Sequence, residues 1–336
     1  MQTKRVGIEE AAALLKNGEV VAFPTETVYG LGADATSAVA VSKIFAAKGR
    51  PSDNPLIVHI GALEQLRVVV SEIPDVARAL MDAFWPGPLT LILPKQENMP
   101  REVTAGLSTV GVRMPSHPLA LALLREAGLP IAAPSANVSG RPSPTAEQHV
   151  LDDLEGKIAG ILAEGGVAEI GLESTVLDCT TKPPTILRPG AVTKAELEGI
   201  IGAVDTLEVQ EDSGSLAPKS PGMKYKHYAP SAPMTIVRGS EIFFQQVIWE
   251  AQSQGKRVGI LVAEENRDRY EADVVLTCGT KRDLSTIARR LYDALRELDE
   301  HAIDVIYCEG FPETGLGEAI WNRLLKASEH RVLEEG

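Results

Sequence analysis

Cysteine is scarce and scattered in this chain: Cys179, Cys278 and Cys308 are the only three in 336 residues, and no two form a C-x-x-C pair. That excludes a disulfide framework and a zinc ribbon, and leaves the three as buried or inert thiols. The six histidines are equally dispersed, without the i, i+4 pairing of a helical transition-metal site. Long apolar runs are absent too. The longest, such as 89–93 and 258–262, have the length of strands and not of membrane spans. Near the N-terminus, Glu9 and Glu10 stand where a secretory signal needs unbroken apolar residues, so the chain reads as cytoplasmic. Positive charge is in deficit, with 33 Lys and Arg against 46 Asp and Glu and a formal net charge of −13. A broad nucleic-acid footprint needs the opposite balance, so any anion must be bound in a local pocket. No G-x-x-x-x-G-K-[ST] motif occurs, and a nucleotide would have to be held without a P-loop.

What is present suggests two domains, since 336 residues exceed one ordinary domain. Over residues 1–210, strand-like segments at 20–23, 56–60, 89–93, 110–114, 131–133, 161–163, 174–177 and 186–188 alternate with helical patterns, which predicts an α/β domain. Val41, Ile44 and Phe45 share one face of a helix stopped by Gly49 and Pro51. Thr145 with Gln148, and Thr193 with Glu196, have the spacing of capping boxes. Residues 211–233 form a linker rich in Ser, Pro and Gly, and loops of that length are functional or disordered. From 234 to 336 the alternation restarts, with strands expected at 234–237, 258–262, 274–276 and 303–307 and a clear helix over 283–298. This predicts a smaller, doubly wound parallel sheet.

Several polar clusters interrupt these patterns. Pro24-Thr25-Glu26-Thr27-Val28-Tyr29-Gly30-Leu31-Gly32 reads as a polar loop leading toward a helix. Its Gly30-x-Gly32-x-x-Ala35 is rejected as a dinucleotide fingerprint, because the glycines do not directly follow the strand and no ribose-binding acid ends the next one. Lys48-Gly49-Arg50-Pro51 sets two cations around a helix C-terminus, suited either to the helix dipole or to a phosphate. His59 and Arg113 lie within strand-like segments. A buried strand arginine needs an anionic partner, and a ligand carboxylate is one candidate. Ser135 and Asn137 alternate after a run of small residues. Phe84-Trp85-Pro86-Gly87-Pro88 reads as a rigid turn packed by Trp85, without chemistry of its own. In the linker, Lys224, Tyr225, Lys226, His227 and Tyr228 offer donors and ring faces suited to an anionic, partly aromatic ligand.

Taken in order, the 23–31 loop, Lys48-Gly49-Arg50-Pro51, Asn54-Pro55-Leu56, Gly111-Val112-Arg113, Pro134-Ser135-Ala136-Asn137, Ser174-Thr175-Val176, Arg188-Pro189-Gly190 and the Lys-Tyr-Lys-His-Tyr linker resemble the YrdC-like family. The chain is most similar to that family's two-domain form. The resemblance implies a twisted mixed sheet in the first domain and a Rossmann-like second one. It implies an enzyme that joins L-threonine, bicarbonate or carbon dioxide, and ATP into a threonylcarbamoyl adenylate, releasing pyrophosphate. The adenylate would feed a separate transferase acting on tRNA, with direct tRNA binding weak or indirect. By that similarity Thr27, His59, Arg113, Ala133 and Ser174 hold threonine. Lys48, Arg50, Asn54, Thr109, Ser135, Asn137, Ser143, Arg188 and Tyr225 hold ATP, with Lys48 and Arg50 acting on the phosphates. Lys224, Lys226, His227 and Tyr228 belong to a lid over the site. Magnesium would accompany ATP, with no protein side chain as its ligand. Carbamoyl-adenylate enzymes that share this domain carry zinc-finger cysteine pairs, which this chain lacks. A non-catalytic RNA-binding role conflicts with the acidic balance.

Overall fold

In the computed structural model, which describes residues 2–207 and 227–336, the chain forms two units. The first runs to residue 207, except that the short segments 140–143 and 170–172 pack with residues 227–336 in the second. A boundary drawn at single positions along the chain does not capture those two segments.

The first unit is built on strands β1 (Lys4–Val6), β2 (Val21–Phe23), β3 (Gly30–Asp34), β4 (Ile57–His59), β5 (Leu89–Pro94), β6 (Thr109–Arg113), β7 (Ile131–Ala132), β8 (Gly160–Leu162), β9 (Thr175–Asp178), β10 (Thr185–Arg188) and β11 (Asp205–Thr206). They form one mixed sheet in the order β1-β8-β2-β3-β7-β4-β6-β5-β9-β10-β11. Its centre sets β4 parallel to β6, β6 antiparallel to β5, and β5 parallel to β9. Alternation along these strands sorts the residues by face. Val58, Val110, Val112, Leu89, Leu91, Leu93 and Leu177 enter the main core. The opposite face carries only a small apolar cluster of Ile57, Ile92 and Val176, with Leu187 against it. His59, Gly111 and Arg113 are in phase with that second face, and this phase creates the site.

The helix Ala38–Lys48 buries Val41, Ile44 and Phe45, as the periodicity predicts, and ends at Gly49 in the left-handed region (φ 61°). Thr193 and Glu196 form the expected capping box, Thr193 Oγ1 accepting from the Glu196 N–H while Glu196 accepts from the Thr193 N–H. The box at Thr145 does not form. The helix there is Glu147–Leu154 with Ala146 at its cap, and the Thr145 N–H instead donates to His149 Nδ1. A second correction concerns Gly30–Asp34, which is not loop but strand β3, antiparallel to β2. A Cβ on Gly32 would lie 2.8 Å from the Phe23 ring and from Ile131, so the glycines let the hairpin close on an aromatic side chain.

The second unit is a five-stranded parallel sheet, as expected: β12 (Met234–Arg238), β13 (Val258–Val262), β14 (Val274–Thr277), β15 (Val305–Glu309) and β16 (Val332–Glu334), ordered β14-β13-β15-β12-β16. The helix Leu284–Leu298 buries Ile287, Ala288, Leu291, Tyr292 and Leu295, the stripe its spacing predicts. Among the described residues no helix is long and apolar enough to cross a membrane.

Candidate functional site

The site begins where β4 and β6 end side by side, with His59 directly opposite Arg113. Arg113 is buried, and each of its nitrogens has its own neighbour. Nε donates to the Gly87 carbonyl at 3.2 Å, Nη1 donates to Thr27 Oγ1 at 2.9 Å, and Nη2 lies 2.6 Å from Glu26 Oε1. The Phe84–Pro88 turn is therefore more than packing, because its Gly87 carbonyl orients the guanidinium. Hydroxyl directions follow from proton counting. Thr25 Oγ1 donates to the Val28 carbonyl at 2.6 Å, so the 2.9 Å contact between Thr25 and Thr27 takes its proton from Thr27. Thr27 Oγ1 is then free to accept from Arg113.

Glu26 supplies the carboxylate beside Arg113, a role that sequence reasoning does not reveal. Burial is the strongest influence and works against its ionisation, but the Arg113 guanidinium, first by its charge, and the backbone of Ser116 and of Glu26 itself together hold the carboxyl below its ordinary range. Neither Glu26 oxygen has an aligned hydrogen bond among the described residues. The pair is thus held by charge at close range. In sequence, an acid among threonines looks like loop solubility, and only the phase of Arg113 across the sheet hints at a partner.

His59 is enclosed, with its ring edge-on to Phe23 at 6.0 Å between centroids. Burial first, and then the Arg113 charge, push its pKa down to about 3, so it is neutral at physiological pH. The folded pKa lies below the ordinary value, so the unfolded chain binds the extra proton and stability falls as pH drops from about 6.5 toward 3. Between pH 7 and 5 this group alone is expected to lower stability by about 2 kcal/mol. Denaturant titrations of wild type and His59→Gln at the two pH values check this, the wild type losing more on acidification.

Around Ser174 a second cluster forms on the same sheet. Arg188 Nε and Nη2 donate to the Ser174 carbonyl at 3.2 and 3.0 Å, and Nη2 also donates to Ser174 Oγ at 3.2 Å. Thr90 Oγ1 lies 2.8 Å from the same hydroxyl. Strict alternation would send Arg188 to the core side with Ile186. A bulge prevents this, since Ile186 pairs with Leu177 but Arg188 pairs with Val176, leaving Leu187 as the extra residue. Gly190 lets the two strand ends touch, because a Cβ there would lie 2.3 Å from the Thr175 backbone nitrogen and 2.7 Å from the Ser174 carbonyl carbon. The turn at 87–88 links both clusters: the Gly87 N–H donates to the Met114 carbonyl, and the Pro88 carbonyl accepts from the Thr175 N–H.

The third group gathers at the end of the Ala38–Lys48 helix. Lys48 Nζ donates at 2.5 Å to both the Ser135 and Asn137 carbonyls and lies 3.4 Å from Asn137 Oδ1. Ser135 Oγ donates to Asn137 Oδ1 at 2.6 Å. This segment is tied to the Glu26 loop, since Gly30 bridges Ser135, the Ala136 N–H donates to the Tyr29 carbonyl, and the Leu31 N–H donates to the Pro134 carbonyl. Ala133, next to it, uses its N–H on the Ile57 carbonyl. Asn54 is fully buried, with neither amide atom hydrogen-bonded among the described residues. A buried amide of this kind calls for a polar partner, and a ligand atom can provide one.

The structure thus joins Thr27, His59 and Arg113, joins Ser174 and Arg188, and joins Lys48, Ser135 and Asn137. Lys48, Arg50, Arg113 and Arg188 are 2%, 9%, 3% and 4% exposed, so none of the four points into open solvent. Thr109 starts β6 while Arg113 ends it, roughly 13 Å away, so the two can meet only an extended ligand. Ser143 lies in the 140–143 segment that packs with the second unit, and the residue after it, Pro144, accepts from the Tyr29 N–H of the loop that carries Glu26. Lys224, Tyr225 and Lys226 lie outside the described residues. Tyr228, expected in a lid, is buried within the second unit, its ring stacked on Tyr292 at 5.2 Å with Arg323 over it at 5.7 Å and His227 alongside.

Chemically the arrangement offers Arg113, Arg188, Ser174 and a neutral histidine on one sheet face, a carboxylate from the adjoining loop, and a further cation at the end of the Ala38–Lys48 helix. A family model named Sua5/YciO/YrdC and described as telomere recombination matches residues 13–190. A second, described as the C-terminal domain of threonylcarbamoyl-AMP synthase, matches 192–329. The threonylcarbamoyl-AMP synthase of Bacillus subtilis is 55% identical over 334 residues, covering 99% of this chain and 96% of its own length. That of Pyrococcus abyssi is 48% identical, covering 97% and 95%. A crystal structure of Sua5 from P. abyssi complexed with L-threonine superposes with a TM-score of 0.92 at 48% identity, over 98% of this chain and 96% of that one.

Proposed function

The chain belongs to the Sua5/YciO/YrdC family, with the threonylcarbamoyl-AMP synthase C-terminal domain attached, and on that premise we propose that it makes threonylcarbamoyl-AMP from L-threonine, bicarbonate or carbon dioxide, and ATP. The single observation that carries this is the buried Arg113, Glu26, Thr27 and His59 cluster on the sheet face opposite the main core. It is a site built to take one small carboxylate, and the P. abyssi relative has been solved with L-threonine.

Threonine would set its carboxylate on Arg113, the most strongly directional donor available. Ser174 and the Ala133 backbone would complete the contacts to threonine. Once the amine has captured carbon dioxide, a carbamate oxygen attacks the α-phosphorus and pyrophosphate leaves. The protein need not become covalently involved in that step. It needs to align the reactants and offset charge developing on the phosphates, the role of Lys48, Arg50 and Arg188 in this reading. Asn54, Ser135 and Asn137 supply polar contacts for the nucleotide.

Among the described residues no three His, Cys, Asp or Glu side chains gather as a metal site, and the groups assigned to the phosphates are cations and hydroxyls. A magnesium ion brought by ATP would supply further charge neutralisation at the phosphates, beside Lys48, Arg50 and Arg188. The product is a mixed anhydride prone to hydrolysis, so it is made for immediate use by a separate transferase that modifies tRNA.

The test is pyrophosphate release with threonine and bicarbonate omitted in turn. Each omission is expected to reduce release to background, whereas release that continues without threonine would refute the assignment. Serine in place of threonine is expected to lower kcat/KM by about 10–200-fold, the range that one missing methyl allows.

A further inference from the structure

We propose that Glu26 is the proton acceptor that makes the substrate's amine reactive, and that substrate binding itself frees Glu26 to act by taking its place on Arg113. The inference rests on the reading of Arg113 as the carboxylate anchor. At neutral pH an amino acid carries an ammonium group, which has no lone pair to attack carbon dioxide. Some group must take the proton, and within this cluster there is one candidate. His59 is held neutral by burial and by the adjacent guanidinium, so gaining a proton there is opposed by both. The threonine hydroxyls are committed, Thr25 to the Val28 carbonyl and Thr27 between Arg113 and Thr25. Of the Arg113, Glu26, Thr27 and His59 cluster, Glu26 alone carries a carboxylate, buried and with neither oxygen in an aligned hydrogen bond among the described residues.

The Arg113 contacts show how the exchange works. Nε and Nη1 are fixed by a backbone carbonyl and a hydroxyl that stay in place, while among the described residues the neighbour of Nη2 is the Glu26 carboxylate, 2.6 Å away. An incoming carboxylate competes for that one nitrogen. The charged and titratable groups facing Glu26 are Arg113 and His59. Burial alone would raise the proton affinity of Glu26, and Arg113, first by its charge, is the largest influence that keeps it low, with the backbone of Ser116 and of Glu26 itself as lesser ones. When a second carboxylate claims that charge, the restraint lifts at the moment the ammonium arrives beside it. One ammonium N–H bond then breaks and an O–H bond forms on Glu26, with the electron pair staying on nitrogen. That pair bonds the carbon of carbon dioxide, one C=O π pair moves to oxygen, and the second proton shed as carbamate forms leaves to solvent.

The test measures threonine binding by calorimetry and then kcat for pyrophosphate release from about pH 6.5 to about pH 9.5, at saturating ATP and constant dissolved carbon dioxide, for wild type, Glu26→Gln and Glu26→Asp. Wild type is expected to be nearly level above about pH 7. Glu26→Gln should still bind threonine, fall at least ~100-fold at pH 7, and recover about tenfold per pH unit as the free amine deprotonates unaided. Glu26→Asp should keep the wild-type profile at a lower rate. A Glu26→Gln profile parallel to wild type would overturn the proposal, leaving Glu26 as a counter-ion only. If wild type itself binds no threonine, the anchor reading fails and this inference fails with it. Should Glu26→Gln not fold, infrared difference spectra of wild type decide the matter. Added threonine must produce the carbonyl band of a protonated buried carboxyl, and its absence is disproof.

Discussion

Arg113→Lys is expected to lower kcat/KM for threonine by ~10²–10³-fold while leaving the protein folded. The substitution keeps the positive charge, so Glu26 retains a counter-ion and the large cost of an unpaired buried carboxylate is avoided. What it removes is the fork. Arg113 reaches Gly87, Thr27 and Glu26 from three different nitrogens at once, and a single ammonium on a flexible stem cannot span those three directions. The loss should fall on threonine and not on ATP. Calorimetric titration with each ligand separates the two, with weakened threonine binding and ATP affinity within about twofold of wild type. An equal loss for both ligands would mean that Arg113 supports the fold of the sheet and anchors no carboxylate.

Lys48→Met is expected to have the opposite signature: threonine binding close to wild type, with kcat reduced by ~10²–10³-fold, as when one donor to developing charge is lost. Lys48 Nζ also holds the carbonyls of Ser135 and Asn137, so the variant takes this donor from one half-buried and one buried acceptor. That is expected to cost about 1–3 kcal/mol of stability, visible as a lower denaturation midpoint. Lys48→Arg distinguishes the roles. If the residue is only a clamp on the 135–137 turn, arginine should restore both stability and rate. If it acts on phosphates in a defined place, stability should return and the rate should not.

How much can be read before folding depends on the range of the interaction. Lys48 and Arg113 stand out in the sequence because a cation within two residues of glycine or proline, at the edge of an apolar segment, rarely serves packing alone, whereas Ser174 and Arg188 are weak signals singly and count only as part of the ordered set. The sheets and the helices at 38–48 and 284–298 follow from periodicity, which is a local property. Glu26 is invisible for the converse reason. Its partner, Arg113, is far along the chain, and nothing near Glu26 distinguishes a buried ion pair from a solvated loop. Gly87 escapes notice because a backbone carbonyl has no sequence signature. Strand β3 is hidden because Gly30 and Gly32 suggest a turn, and only the Phe23 ring lying against them explains why a strand should lack side chains there. The bulge at Leu187 is of the same kind. Alternation alone would point Arg188 into the core, and its true direction depends on pairing with Val176. The Thr145 spacing misleads because His149, one turn on, offers the backbone a nearer partner.

The central claim is that buried cations on the sheet and at the end of the Ala38–Lys48 helix form a single cleft for an amino acid and a nucleotide. A crystal structure of the chain with L-threonine and a non-hydrolysable ATP analogue tests it most directly. The expected result is the threonine carboxylate on Arg113, displacing Glu26, and the phosphates within reach of Lys48 and Arg188. Finding either ligand elsewhere, with the Arg113–Glu26 pair intact, would contradict it.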